Sequence, residues 1–386
     1  MIDNELSQPL LRWSDVISRL HRGANGLVII ATGGGTSAIS MLQSVPGASA
    51  SLLEAQVPYS NLAVDELLGA KPDRYCAPQT ALDLAVSAYS RGRHLAAGQN
   101  RPVIGASCTA SLVSSRPKRG EHRAHIAVQT QTRTLLQTLR LERGLRSRHA
   151  EECLVAEHVV RSLAQAADVA DIPQIPLTAG DASVFQQQTA DPLLAELWQD
   201  RISHIWAWPD GRFERDRPAA SALLCGSFNP LHAAHSELRS VSQRILGQAV
   251  GFELAITNVD KTPLNYISLT ERVAQLENEP LLLTNAATFA EKSRFLPGTV
   301  FVVGYDTVAR IVQAKYHADS QQQLLSSFDL LRDNQCRFLV AGRVSSGRFQ
   351  TLDDVALPPG TQDLFQQIPE ADFRRDLSST ALREHD

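Results

Sequence analysis

The sequence predicts an α/β protein built from two domains. A length of 386 residues exceeds the usual size of one hydrophobic core. Short apolar runs alternate with stretches of helical periodicity, and glycine-bearing turns follow some of those runs directly. The C-terminal domain reads as a Rossmann-like doubly wound parallel sheet and the N-terminal one as an α/β layer fold. The expected division is residues 1–168, a connecting region at 169–217, and residues 218–386.

Trp13, Val16, Ile17 and Leu20 have helical spacing, and the run Gly26–Ala31 has the character of a buried parallel strand. The turn Thr32-Gly33-Gly34-Gly35-Thr36 follows at once, ahead of another helical pattern. Ala50–Val57 then leads into the turn Pro58-Tyr59-Ser60-Asn61. Pro78 stands at the first turn of a helix carrying Leu82, Leu84, Ala85 and Ala88. Val103–Ala106 and His125–Gln129 read as two more strands. Leu154, Val155, His158, Val159 and Leu163 mark an amphipathic helix over Glu151–Ala167.

Between about 169 and 217 the pattern weakens, although Pro209-Asp210-Gly211 between Ile205–Trp208 and Arg212-Phe213 predicts a hairpin. A cleaner series follows. Ala222–Gly226, Phe252–Thr257, Leu281–Leu283, Val300–Gly304 and Arg337–Ala341 are apolar runs separated by helix-like stretches. Ligands of such sheets sit beyond the carboxyl ends of the strands.

Composition excludes several classes. With 43% hydrophobic and 20% charged residues the chain is neither disordered nor a membrane protein in character, and no apolar stretch is long enough to span a bilayer. The N-terminal residues Met1–Trp13 lack the layout of a secretory signal or a transit peptide, so a cytoplasmic location is expected. The five cysteines are far apart and never form CxxC, which signals neither a disulfide framework nor a structural zinc site.

The net charge of −4 is uneven: residues 1–168 carry 18 Lys and Arg against 14 Asp and Glu, a balance of +4, leaving −8 for the rest. A chain-long basic surface for nucleic acid is absent, so no nucleic-acid partner is expected. The local run from Arg116 to Arg148 stays open between two readings. A solvated face outweighs an anion or nucleic-acid contact, and on that reading Arg143, Arg146 and Arg148 are dispensable.

The strongest chemical signal is Gly226-Ser227-Phe228-Asn229-Pro230-Leu231-His232-Ala233-Ala234-His235, which follows a strand and opens a helix. A glycine turn lets phosphate approach backbone amides, the helix start adds unpaired N–H groups and a positive dipole, and histidines three apart share one face. Such donors suit the negative charge that develops at phosphorus and on departing pyrophosphate.

These residues closely resemble the GxFxPxHxGH signature of the nucleotidylyltransferase superfamily, with Ala234 where the signature has its second glycine. The superfamily includes nicotinate and nicotinamide mononucleotide adenylyltransferases, pantetheine-phosphate adenylyltransferases and cytidylyltransferases. Leu377-Ser378-Ser379-Thr380-Ala381-Leu382-Arg383 is similar to the second family motif, ISSTxxR, and Val302–Asp306 to the family's strand-Gly-x-Asp segment. The resemblance covers about residues 218–386. It implies transfer of AMP from ATP, carried with Mg²⁺, to a small phosphorylated acceptor with release of pyrophosphate. The implied catalytic residues are His232, His235 and Arg383. The implied nucleotide-binding residues are Gly226, Ser227, Phe228, Lys261, Gly304, Asp306, Ser378, Ser379 and Thr380, with no protein-held metal.

Residues of about 10–168 resemble a different family, the C-terminal domain of competence-damage-inducible (CinA) proteins, which includes nicotinamide-mononucleotide deamidases. The matching points are Thr32-Gly33-Gly34, Val45–Ser49, Tyr59-Ser60-Asn61 and the strand at Val103–Ala106. Where that family's SCTGG has its serine this chain has Ile30, and the lysine of YSNxxK aligns with Val64. A hydrolytic deamidase needs an activated nucleophile and a proton carrier, and neither expected side chain is present. Thr32, Thr36 and Ser37 are hydroxyls that could substitute. The weight falls on a ligand-binding pocket or a homo-oligomer-forming module. Pairing the two resemblances makes a pyridine mononucleotide the expected acceptor. The alternative is a non-catalytic nucleotide-binding or scaffold protein with two decayed sites.

Overall fold

The computed structural model describes residues 4–115, 120–218, 220–259, 262–276, 279–317, 319–345 and 348–374. The chain divides into two compact units, Met1–Asp191 with Asp260–Ile267, and Pro192–Val259 with Ser268–Asp386.

The first unit is built on a six-stranded sheet. Its strands are β1 (Gly26–Thr32), β2 (Leu52–Gln56), β3 (Val103–Ser111), β4 (His122–Gln129), β5 (Arg133–Leu141) and β6 (Ala182–Thr189), in the order β2-β1-β3-β4-β5-β6. The β2-β1-β3 part is parallel and the β3-β4-β5-β6 part antiparallel. Trp13, Ile17, Ile29, Ile104, Val155 and Val159 are buried in one cluster, so helices Asn4–Arg22 and Arg148–Ala166 pack against the same sheet face. Helix Pro78–Leu95 begins at its proline as expected and buries Leu84 and Ala88 with Val28 and Ile30. Tyr266 is fully buried in this unit, its hydroxyl donating to the Gln131 carbonyl at 2.6 Å.

Two strands of this sheet escape the sequence reading. β5 lies inside the arginine-rich run, and its buried Thr134, Leu135, Leu136, Leu139 and Leu141 give it two apolar faces rather than the alternation of a half-exposed strand. β6 falls in the stretch 169–217 read as a connecting region; its side chains are almost all exposed, so it has no apolar face to betray it. The reading of Arg146 as part of a solvated face is corrected. Its guanidinium pairs with the fully buried Asp181 carboxylate at 2.5 and 2.9 Å, which also accepts N–H groups from Glu142 and Thr178. Arg133 likewise pairs with Asp168, and Arg148 donates to the carbonyls of Gly33 and Val113. Arg116 and Lys118 to Arg119 lie outside the described residues.

The second unit contains an eight-stranded sheet. β7 (His204–Ala207) and β8 (Phe213–Glu214) form the hairpin predicted at Pro209-Asp210-Gly211, with Ala207 opposite Phe213. β9 (Ala222–Cys225), β10 (Val250–Ala255), β11 (Leu281–Thr284), β12 (Val300–Gly304) and β13 (Arg337–Ala341) are the predicted parallel strands. A small hairpin, β14 (Arg343–Ser345) and β15 (Arg348–Gln350), precedes β16 (Phe365–Gln367). The order is β16-β13-β12-β9-β10-β11-β7-β8. Its six parallel members are wound as third, second, first, fourth, fifth, sixth, the doubly wound arrangement in which ligands bind where the winding reverses. That reversal falls between β9 and β12. Among the described residues no helix is long and apolar enough to cross a membrane.

Candidate active site

The loops leaving β9 and β12 start side by side at this reversal, and they carry the glycine-histidine motif and Gly304–Asp306. The strand order puts the two candidate segments on neighbouring strands.

Phe228 organises the first loop. Its backbone is left-handed (φ 44°), a conformation that costs most side chains free energy, and its ring is 1% exposed, stacked edge-on against Phe252 and His235 at 5.3 Å each. Burial of a phenyl side chain, about 1.5–3 kcal/mol, is large enough to hold that backbone. Gly226 has a local reason to be glycine, because a Cβ there would stand 2.8 Å from the Phe228 ring. Its own N–H donates to the Glu253 carbonyl at 3.1 Å. Ser227 is exposed at the head of the loop.

Gln275, from the 3-10 turn Ala274–Leu276, holds the loop from the side. Its Oε1 accepts the Leu231 N–H at 2.7 Å and its Nε2 donates to the Phe228 carbonyl at 3.3 Å. No spacing in the sequence links Gln275 to the motif 40 and more residues earlier, which is why it was missed. Also missed was a buried polar group beneath the strand ends. The Glu253 carboxylate accepts from Lys292 Nζ at 2.8 Å and Thr284 Oγ1 at 2.5 Å. Burial opposes the charge on Lys292, but Glu253 outweighs it and raises the Lys292 pKa, so the ammonium stays charged.

His232 caps the helix Ala233–Leu246 in extended conformation, and His235 sits in its first turn. The rings lie 3.9 Å apart between centroids, inclined at 31°. The His232 N–H donates to His235 Nδ1 at 3.2 Å. With Nδ1 used as an acceptor, a neutral His235 carries its proton on Nε2 and presents an N–H donor there. Burial lowers the His232 pKa; burial and then the adjacent His232 lower that of His235 to about 4. Both rings are therefore neutral at physiological pH. Ala234 is buried at 7% exposure, so its methyl group faces protein rather than solvent.

Gly304 is the cap of helix Tyr305–Ile311, and Asp306 lies in its first turn, ion-paired with Arg343. Asp306 is therefore a first-turn residue, and the cap is Gly304. Lys261, Ser378, Ser379, Thr380 and Arg383 lie outside the described residues. Among the described residues no cluster of three or more His, Cys, Asp or Glu side chains could hold a metal ion.

In the first unit the glycine turn after β1 is closed around an internal anion. Glu152 accepts from the Gly35 N–H at 2.9 Å, the Ser37 N–H at 3.0 Å and the Thr36 hydroxyl at 2.9 Å. Burial alone would raise the Glu152 pKa; these donors and Arg148 outweigh it and hold the carboxyl below its ordinary value. Gly33 is left-handed (φ 75°), and a Cβ there would meet the Ala110 carbonyl oxygen at 2.0 Å. Ile30 and Val64, 1% and 2% exposed, pack together in an apolar cluster.

No family model matches the chain. A protein of Schizosaccharomyces pombe named "Putative nicotinamide mononucleotide adenylyltransferase" is 31% identical over 122 residues, covering 28% of this chain and 48% of that protein. The chain thus matches about half the length of this curated relative. Among solved structures, a competence/damage inducible protein from Agrobacterium tumefaciens is 15% identical with a TM-score of 0.34, covering 44% of this chain and 98% of its own. A CinA superfamily protein from Escherichia coli is 13% identical with a TM-score of 0.34, covering 43% and 94%. The chain pairs a resemblance to nicotinamide mononucleotide adenylyltransferases with a resemblance to the CinA superfamily.

Proposed function

We propose that the second unit is an adenylyltransferase that joins AMP from ATP to a pyridine mononucleotide and releases pyrophosphate. The observation that carries this reading is the His232–His235 pair, neutral and adjacent, at the winding reversal of a parallel sheet. An oxygen of the acceptor phosphate attacks the α-phosphorus of ATP, a new P–O bond forms, and the bond to the pyrophosphate oxygen breaks. No covalent enzyme intermediate is needed.

The work left to the protein is positioning and charge stabilisation. The helix start at Ala233 supplies N–H groups and a positive dipole end, and the amides of Ser227 and Phe228 line the approach. His235 donates through Nε2 to the charge building on the phosphoryl oxygens, and His232 acts beside it. The Mg²⁺ belongs to the substrate as MgATP, where it offsets the triphosphate charge. Ser378, Ser379, Thr380 and Arg383 are proposed to hold that triphosphate, as the family motif they resemble would.

The pyridine mononucleotide is supported by the name of the S. pombe relative and by the CinA resemblance of the first unit. A second reading, a nucleotide-binding protein without catalysis, is favoured by one observation, the Ala234 methyl buried where the family signature has glycine. Pyrophosphate release from MgATP, assayed over nicotinamide mononucleotide, nicotinate mononucleotide and pantetheine phosphate, separates the readings and names the acceptor. Self-association through the first unit is a further part of the proposal. It is supported by β6, an edge strand with no charged side chain and with Val184 and Phe185 exposed at 61% and 46%. Sedimentation of a Val184→Lys variant tests it.

A further inference from the structure

The second unit holds a cleft apart from the histidine motif, on the far side of β10 and β11 at the edge formed by β7. Its volume is about 580 Å³, within the range of small-molecule sites. Arg201, Arg215 and Arg217 line it, against a single carboxylate, Asp216. Among the described residues no carboxylate forms an ion pair with any of the three arginines. Arg201 donates to the Gln199 amide oxygen at 2.7 Å, and the Arg217 guanidinium lies 5.5 Å from the Trp206 ring and 5.3 Å from that of Trp208.

Three guanidiniums gathered around one concavity repel one another, and a folded chain normally disperses them or pairs them with acids. The arginine of the hairpin itself behaves that way: Arg212 is paired with Asp210 at 2.7 Å. The floor of the cleft is planar and uncharged. His204 stacks on Phe295 with centroids 5.3 Å apart and 7° between planes, and its Nδ1 is 2.9 Å from the Ser203 hydroxyl. Burial and then Arg215 lower the His204 pKa, so the ring is neutral and leaves the excess charge to the arginines.

We infer that this cleft binds a diphosphate-bearing small molecule: the guanidiniums take the phosphate oxygens, and the cleft beside the His204–Phe295 stack takes the rest of the ligand. Guanidinium groups match phosphate oxygens in pairs, and two or more negative charges balance the net positive charge of the lining. The volume exceeds that of a diphosphate alone, which leaves room for an attached group. The site is independent of the proposed transferase chemistry, because none of its residues comes from the motif loops.

The test is titration of the full chain with pyrophosphate, followed by calorimetry and by tryptophan fluorescence, since Arg217 lies over two of the four tryptophans. The arginines are exposed, so an Arg201→Gln/Arg215→Gln double variant should melt like the wild type. It should bind pyrophosphate at this cleft at least tenfold more weakly, with the fluorescence response lost. Arg215→Lys should bind more weakly than wild type but better than the double variant. His235→Asn should keep the fluorescence response. Titration with ADP and with inorganic phosphate distinguishes a nucleotide from a free anion, and a tighter response to ADP or pyrophosphate than to phosphate is expected. An unchanged pyrophosphate-induced fluorescence response in the double variant, no saturable response in the wild type, or a response abolished by His235→Asn alone would each overturn the inference.

Discussion

The Nδ1 atom of His235 accepts the backbone N–H of His232 at 3.2 Å, so one imidazole closes the first turn of its helix and keeps its other nitrogen as an N–H donor. The two duties can be separated. Asparagine places an acceptor near the Nδ1 position but has nothing at Nε2. His235→Asn should therefore keep the wild-type melting temperature while lowering kcat by about 10²–10³, roughly 3–4 kcal/mol, with little change in KM for ATP. Steady-state kinetics beside thermal melting checks this; a raised KM with unchanged kcat would assign the ring to binding alone.

Ala234→Gly gives a companion result of opposite sign. The methyl group is almost fully buried against protein, so its removal takes nothing from the phosphate approach, and activity should be equal or higher. Stability should fall by about 1–2 kcal/mol, the helix cost of glycine relative to alanine together with the loss of a buried methyl. Both are read from the same kinetic and melting series.

The first unit should release no ammonia from nicotinamide mononucleotide. Ile30 and Val64 are buried and apolar, and the Thr36 hydroxyl is engaged by Glu152. Glu152→Ala removes the acceptor of two backbone N–H groups and that hydroxyl, and should lower stability by about 2–3 kcal/mol without creating deamidase activity. Coupled ammonia assay and denaturant unfolding measure the two.

Arg146→Gln should destabilise the first unit by about 3 kcal/mol, since it strands the Asp181 carboxylate in a site with no exposed side-chain surface. Arg143→Gln is the contrasting surface variant, expected within about 0.5 kcal/mol of wild type. Arg146 and several hydrogen-bond donors hold the Asp181 pKa below the carboxylate range despite burial. The stability it contributes is present above its unfolded pKa and is lost as pH falls through its folded one.

The histidines act in a different pH window. His125, His158 and His235 are each lowered to about 4, by burial first. A lowered histidine binds its proton more readily when unfolded, so stability is complete above about pH 6.5 and falls between pH 6.5 and 4. Each contributes a slope of about 1.4 kcal/mol per pH unit inside that window. Urea unfolding at successive pH values should show proton uptake on unfolding.

Much of this architecture is legible in the sequence because buried parallel strands are continuous apolar runs bounded by turns. Val300–Gly304 and Arg337–Ala341 were read with the bounds they have in the fold. β5 and β6 were not, since the first is apolar on both faces within an arginine-rich run and the second on neither. At the candidate site, the local motif was legible because its residues are contiguous. Gln275, Glu253 and Lys292 were not, because they reach the strand ends through the order of the sheet, which no local pattern records. Glu152 filling the glycine turn likewise depends on a helix more than a hundred residues away.

The central claim, that the histidine pair serves nucleotidyl transfer, is tested most directly by pyrophosphate release from the full chain with MgATP and nicotinamide mononucleotide, wild type against His235→Asn. The account predicts acceptor-dependent release by the wild type and a loss of about 10²–10³ in kcat for the variant. Equal rates for the two proteins, or no release with any phosphorylated acceptor, would contradict it.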